Sequence, residues 1–184
     1  VELVETHFSP KDLPLKGKKV VVTAGPTREK LDPVRFLTNF SSGKMGYAMA
    51  EAASKLGAET ILISGPVAID APQNVKLVNV ESTEDMFLAV LNHFETASIV
   101  VKTAAVADYK AKEIHPQKMK KKEGEVTIAL EKTTDILSEL GKRKTSQILV
   151  GFAAETNDVV HYAKGKLKKK NADYIIANDV TEEG

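Results

Sequence analysis

KKVVVTAGP, residues 18–26, is a short β-branched run broken by Gly25-Pro26, and it reads as a buried strand with an abrupt exit. The same design recurs in ETILISGP (59–66), SIVVKTAA (98–105), QILVGFAA (147–154) and ADYIIAND (172–179). Unbroken apolar runs suit strands covered on both faces, as in a parallel sheet. Helical periodicity separates them. After SSGK, residues Met45, Ala48, Met49, Ala52, Ala53 and Leu56 recur on one helix face and Gly57 supplies a stop. Met86, Phe87, Val90, Leu91 and Phe94 repeat the pattern behind Ser82 or Thr83 as cap. A third helix is expected from Asp158 to about Lys170, with Val159, Val160, Ala163 and Leu167 inward and lysines in its last turn. EVTIAL (125–130) alternates, as a strand with one wet face would. Strands and helices in turn predict an α/β fold: a Rossmann-like, doubly wound, mostly parallel sheet with helices on both faces, in one domain. Residues 1–16, with Ser9-Pro10 and Leu13-Pro14, read as a linker or tether, and 17–184 as the domain.

Composition narrows the chemistry. The chain has 184 residues, 26 Lys and Arg against 25 Asp and Glu, and no Cys. Near-neutral charge argues against a dedicated nucleic-acid binder. The lack of Cys removes disulfides, thiolate metal sites and a Cys nucleophile. The four His, at 7, 93, 115 and 161, form no short pair, so no metal ligands are expected. No apolar run approaches the ~18 residues of a membrane span and no signal-peptide pattern opens the chain, so a cytoplasmic protein is expected.

In open α/β sheets ligands bind beyond the carboxyl ends of the strands. The exit at 24–46, AGPTREKLDPVRFLTNFSSGKMG, carries Asn39 and Ser41-Ser42-Gly43 directly before a helix. That arrangement is either an anion site or plain helix capping. It is no P-loop, because Met45 follows Gly43-Lys44 and the upstream glycine is missing, and no G-x-G-x-x-G fingerprint occurs elsewhere. The exit at 103–124 carries Asp108-Tyr109 and then Lys110, Lys112, Lys118, Lys120, Lys121 and Lys122. This reads as a mobile flap, either a solvated charge run or a set of cations that closes over phosphates. Its one aromatic, Tyr109, makes single-strand nucleic-acid binding the weakest of the three readings. Thr133-Thr134-Asp135-Ile136-Leu137 looks like the cap and first turn of a short helix. Phe152 reads as core or as a site wall, and Lys166 and Lys170, one helical turn apart, either grip a polyphosphate or face water. Tyr162-x-x-x-Lys166 matches the dehydrogenase Tyr/Lys spacing, but without a glycine fingerprint it counts as chance.

KVVVTAGPTREKLDPVRFLTNFSSGKMGYAMAEAA (19–53), VKTAAVADYKA (101–111), PQKMKKK (116–122), VGFAAETN (150–157) and ADYIIANDV (172–180), in this order, resemble the bacterial phosphopantothenate–cysteine ligase family. The resemblance runs from about Lys16 to Val180. It implies the C-terminal half of a bifunctional coenzyme A biosynthesis protein, fused behind a flavin-dependent decarboxylase, with no flavin in this half. The implied reaction joins 4′-phosphopantothenate to L-cysteine with CTP and Mg²⁺, through an acyl-cytidylate, in a homodimer. By matching position, Lys118 meets CTP and supports cytidylate formation, and Asn39 contacts the acyl region and supports turnover of the intermediate. Asp108, Thr134, Asp135, Ile136, Leu137, Phe152, Lys166 and Lys170 meet CTP, Ala104 and Ala105 lie near the substrate, and Ser41, Ser42 and Gly43 take phosphate oxygens. Two departures stand out. Thr133-Thr134-Asp135 replaces an Asn-Pro-Asp found in many relatives, which favours backbone over side-chain contacts there. The chain also ends at Gly184, where relatives continue through a strand that contributes to the dimer, so a C-terminally trimmed piece is expected. Alternatives on the same fold are a non-catalytic nucleotide-binding domain and a dinucleotide-dependent oxidoreductase.

Overall fold

The computed structural model describes residues 13–121, 124–155 and 159–179. Residues 1–12 of the expected tether, Lys122, Asp158 and the segment from Val180 to Gly184 lie outside the described residues. All five apolar runs become strands. They are β1 (Lys19–Ala24), β4 (Glu59–Ser64), β6 (Ile99–Lys102), β9 (Ile148–Glu155) and β10 (Tyr174–Asp179). A sixth strand, β5 (Val75–Asn79), joins at the edge. Every pairing in this sheet is parallel, in the order β10-β9-β6-β1-β4-β5. Counting only these six in chain order gives 3-2-1-4-5-6, the doubly wound arrangement whose direction reverses between β1 and β6.

Alternation along the strands divides the core into two layers. Val21, Ile61, Ile63, Val100 and Leu149 pack under α2 (Thr83–Phe94) and α3 (Ile136–Arg143). Val20, Val22, Ala24, Leu62 and Val101 pack under α1 (Lys44–Lys55) on the other face. The last helix is α4 (Val159–Lys169), which contacts β9 and β10. Two small antiparallel hairpins stand at the carboxyl edge: β2 (Arg28–Lys30) with β3 (Phe36–Thr38), and β7 (Tyr109–Ala111) with β8 (Leu130–Lys132). No helix among the described residues is long and apolar enough to cross a membrane.

Several local expectations differ from the structure. The buried face of α1 is Gly46, Tyr47, Ala50 and Ala53, while Met45, Ala48, Ala52 and Leu56 are exposed. The helix is turned to press Gly46 on the sheet. A Cβ at Gly46 would lie 2.5 Å from Ala24 Cβ and 2.6 Å from Thr103 Oγ1, so only glycine permits this approach. Tyr47 follows it inward, its hydroxyl 3.2 Å from Ser64 Oγ. Residues 125–129 form no strand; pairing begins only at Leu130. Val160 points to solvent rather than inward. Residues 13–16, the end of the expected tether, form a turn whose Leu15 N–H donates to Leu56 O at 3.0 Å and whose side chain packs on the core.

A buried carboxylate fixes the start of α2. Glu29 Oε1 accepts from Thr83 N–H at 2.8 Å and from Thr83 Oγ1 at 2.7 Å, at a helix terminus whose dipole favours negative charge. Next to it Ser82 and Asp85 form a capping box. Charge-assisted hydrogen bonds of this kind contribute about 1.5–3 kcal/mol each. Glu29→Ala is therefore expected to lower stability by about 2–3 kcal/mol, a fall of roughly 5–10 °C in Tm for a chain of this size, read by thermal melting. A change under ~1 °C would show that the carboxylate is not structural.

Candidate functional site

The exits from β1 and β6 converge where the strand order reverses, with β9 on the far side of β6. Pro26 and Ala105 form an isolated parallel bridge just beyond β1 and β6, so the two exits leave side by side. Thr27 joins them further: its Oγ1 accepts from Ala107 N–H at 3.0 Å, and its carbonyl accepts from Thr38 Oγ1 at 2.7 Å. Thr133 Oγ1 donates to Ala107 O at 2.6 Å and so brings the lead-in to α3 against the same segment.

These ties surround a cavity of about 770 Å³. Its wall includes Asn39, Ala104, Ala105, Asp108, Thr134, Asp135, Ile136, Leu137, Phe152, Lys166 and Lys170, so eleven of the residues singled out from sequence share one space. Asn39 is held by its amide, which donates to Val106 O at 3.0 Å. Ile136 and Leu137 open α3, where backbone N–H groups have no acceptor within the helix and attract anions. Phe152 fulfils both readings, packing partly on the core while lining the cavity.

Four lysines of the wall, Lys102, Lys132, Lys166 and Lys170, face two aspartates, Asp108 and Asp135, so the cavity favours an anion. Lys166 Nζ donates to Phe152 O at 2.7 Å. Lys170 pairs closely with Asp135 Oδ2, while Asp135 Oδ1 accepts from Ser138 N–H at 3.0 Å. Burial works against ionisation of Asp135, but Lys170, the Ser138 N–H and Lys102 outweigh it and hold the carboxyl below its usual range. Lys102 was not foreseen as a site residue. It ends β6 half-buried, and burial, then Lys166, push its ammonium down to about 8 against the opposing pull of Asp135 and Asp108. The sequence signal was a charge closing the apolar run SIVVK, which becomes meaningful only once β6 is known to border the switch in strand order.

Not every expected residue comes to this cavity. Ser41, Ser42 and Gly43 stand at the start of α1, outside its wall. Gly43 is the N-cap, with φ 77°, and the helix has no side-chain cap; Ser41 Oγ accepts from Gly43 N–H at 3.3 Å. Lys118 lines a second cavity of about 850 Å³ with Arg35, His115, Met119, Lys120 and Lys121. That segment is clamped from the β2–β3 excursion. Asp32 Oδ2 accepts from Met119 N–H at 3.1 Å, and Arg35 Nη1 donates to Met119 O at 3.0 Å and to Asp32 Oδ2 at 3.1 Å. His115 N–H donates to Leu31 O at 2.9 Å. Burial disfavours the charged form of Asp32, yet N–H donors from Val34, Met119 and Arg35, with the Arg35 guanidinium, keep its carboxyl below the ordinary range.

Among the described residues no three His, Asp or Glu side chains gather as a metal cage. The Asp108 carboxylate makes no hydrogen bond or ion pair with a described residue, whereas both oxygens of Asp135 are engaged. The donor set therefore fits Mg²⁺ carried on phosphate oxygens with one carboxylate beside it.

The family model for the DNA/pantothenate metabolism flavoprotein C-terminal domain matches residues 15–184. The chain is 56% identical to the coenzyme A biosynthesis bifunctional protein CoaBC of Bacillus subtilis (strain 168), over 100% of the chain and 46% of that protein. It is 45% identical to the CoaBC protein of Escherichia coli (strain K12), over 99% of the chain and 46% of the relative. The chain thus spans about half the length of the curated relatives it matches. A crystal structure of the C-terminal domain of CoaBC superposes with a TM-score of 0.81 at 56% identity, covering 90% of this chain and 79% of that one.

Proposed function

The chain belongs to the DNA/pantothenate metabolism flavoprotein C-terminal domain family, and on that premise we propose that residues 17–184 form a ligase domain that joins 4′-phosphopantothenate to L-cysteine at the expense of CTP. The observation that carries the reading is the cationic cavity at the β1/β6 switch, bordered by the first turn of α3 and wide enough for a nucleotide. In the first step a carboxylate oxygen of the pantothenate attacks the α-phosphorus and the bond to pyrophosphate breaks. The acyl carbon then carries a nucleotide leaving group. In the second step the cysteine amine attacks that carbon, CMP departs and the amine proton passes to solvent. Both steps call for positioning and charge neutralisation rather than a protein nucleophile, which suits a chain without Cys.

Lys166, Lys170, Asp108 and the Thr134–Leu137 segment hold the nucleotide; Asn39, Ala104 and Ala105 meet the acyl substrate; Lys118 acts in the first step. Ser41, Ser42 and Gly43 remain candidates for a phosphate outside the main cavity. Asp108 would help to hold a Mg²⁺ that arrives with the nucleotide, and the ion would neutralise charge on the triphosphate. Flavin chemistry belongs to the companion half of a CoaBC-type protein, and the setting is cytoplasmic. A homodimer is part of the same reading. Its support is a pair of exposed aromatic side chains in the cavity wall, Phe40, which is fully exposed, and Tyr109, which is 49% exposed.

Pyrophosphate release from CTP and 4′-phosphopantothenate with cysteine omitted tests the activity. The expected result is a burst of about one equivalent per site, as the acyl-cytidylate stays bound. No release with CTP, while the nucleotide still binds, would leave a non-catalytic nucleotide domain and overturn the ligase. Repeating the assay with ATP measures the base preference.

A further inference from the structure

We propose that Lys102 binds the polyphosphate of the nucleotide, as a further cation of the cavity wall beside Lys166 and Lys170. The inference rests on reading the cavity as a nucleotide site. Lys102 is the last residue of β6, the strand at the switch point, and its register partners Thr23 on β1 and Gly151 on β9 carry no charge. Its ammonium makes no hydrogen bond or ion pair with a described residue, in contrast to Lys166 and Lys170. The Nζ atom is not sealed in the core, because no buried side-chain nitrogen lacks a partner among the described residues; it opens on the cavity. A half-buried cation with no partner is costly to keep in a fold. A polyphosphate in the cavity supplies the missing counter-charge.

The charged groups that face Lys102 are Lys166 from α4, Lys170 just after it, Asp135 from the lead-in to α3, and Asp108 from the segment after β6. Together with burial they lower its ammonium to about 8, so part of the free protein carries a neutral Lys102 at pH 8. A bound polyanion favours the charged form. Nucleotide binding should then draw a proton from solvent, and affinity should be flat below pH ~7 and fall as the pH rises above ~8. The second ionisation of a phosphate, near about 6, is complete well below this range.

The test is calorimetric titration of the full chain with Mg²⁺ and CTP at pH 8, in two buffers of different ionisation enthalpy. Wild type should take up a measurable fraction of a proton per nucleotide bound. Lys102→Met should bind at least tenfold more weakly with uptake close to zero. Lys102→Arg should keep affinity within about threefold of wild type and also lose the uptake, since a guanidinium stays protonated throughout. Wild-type affinity and proton uptake in a folded Lys102→Met would overturn the inference while leaving the nucleotide site intact. Should Lys102→Met not fold, undiminished proton uptake in Lys102→Arg overturns it equally. If wild type itself shows no CTP binding, the nucleotide reading of the cavity fails and the role of Lys102 with it.

Discussion

Lys118→Gln is expected to reduce pyrophosphate release roughly a thousandfold or more, about 4 kcal/mol of transition-state stabilisation, with the Tm unchanged to within ~2 °C. The separation of the two readouts follows from the structure. Lys118 is exposed and its ammonium makes no hydrogen bond or ion pair with a described residue, so the fold loses nothing when the charge is removed. Its expected role is electrostatic, to neutralise charge as pyrophosphate departs, and glutamine, one bond shorter, keeps a polar end but not the charge. Lys118 lines a different cavity from the one that holds Asn39, so its effect on chemistry is the more informative result. Full pyrophosphate release by Lys118→Gln would remove the residue from the reaction. A large fall in Tm would make it structural.

Asn39→Asp should slow consumption of the acyl-cytidylate by cysteine about a hundredfold, while its formation falls less than tenfold. The side-chain amide donates to Val106 O, and a carboxylate there cannot donate and would set negative charge against a carbonyl. The same carboxylate would lie next to the acyl group just as the amine attacks and the carbonyl oxygen gathers negative charge. Intermediate should therefore accumulate, visible by quenching a single turnover and resolving cytidylate from product. An equal loss in both steps would mean that Asn39 acts on binding alone.

The centre of the sheet was legible because β1 and β4 are covered on both faces, which compels runs such as VVVT and TILI that no helix pattern imitates. β5 escaped notice for the converse reason. It is a half-exposed edge strand in which Lys76 and Asn79 interrupt the apolar signal. The alternation of EVTIAL was real, but alternation shows only that two faces differ, and here regular pairing starts at its last residue, Leu130. The face of α1 was misjudged because hydrophobic spacing has no way to represent Gly46, which earns burial by having no side chain. Around the cavity, Asp108 stands out because it follows a strand, whereas the expected roles of Asn39, Lys166 and Lys170 rest on the family resemblance and not on strand position. Lys102 did not stand out, since a lysine that ends a strand gains significance only from the strands on either side of it.

The Met119 clamp bears on which positions can vary. Asp32 and Arg35 grip its peptide N–H and carbonyl rather than its side chain. The clamp itself is thus compatible with any residue at 119 except proline, which has no N–H to offer. The constraint is displaced onto 32 and 35, some eighty positions upstream. A library that randomised this loop alone would find it permissive, and only one that varied both segments together would uncover the dependence.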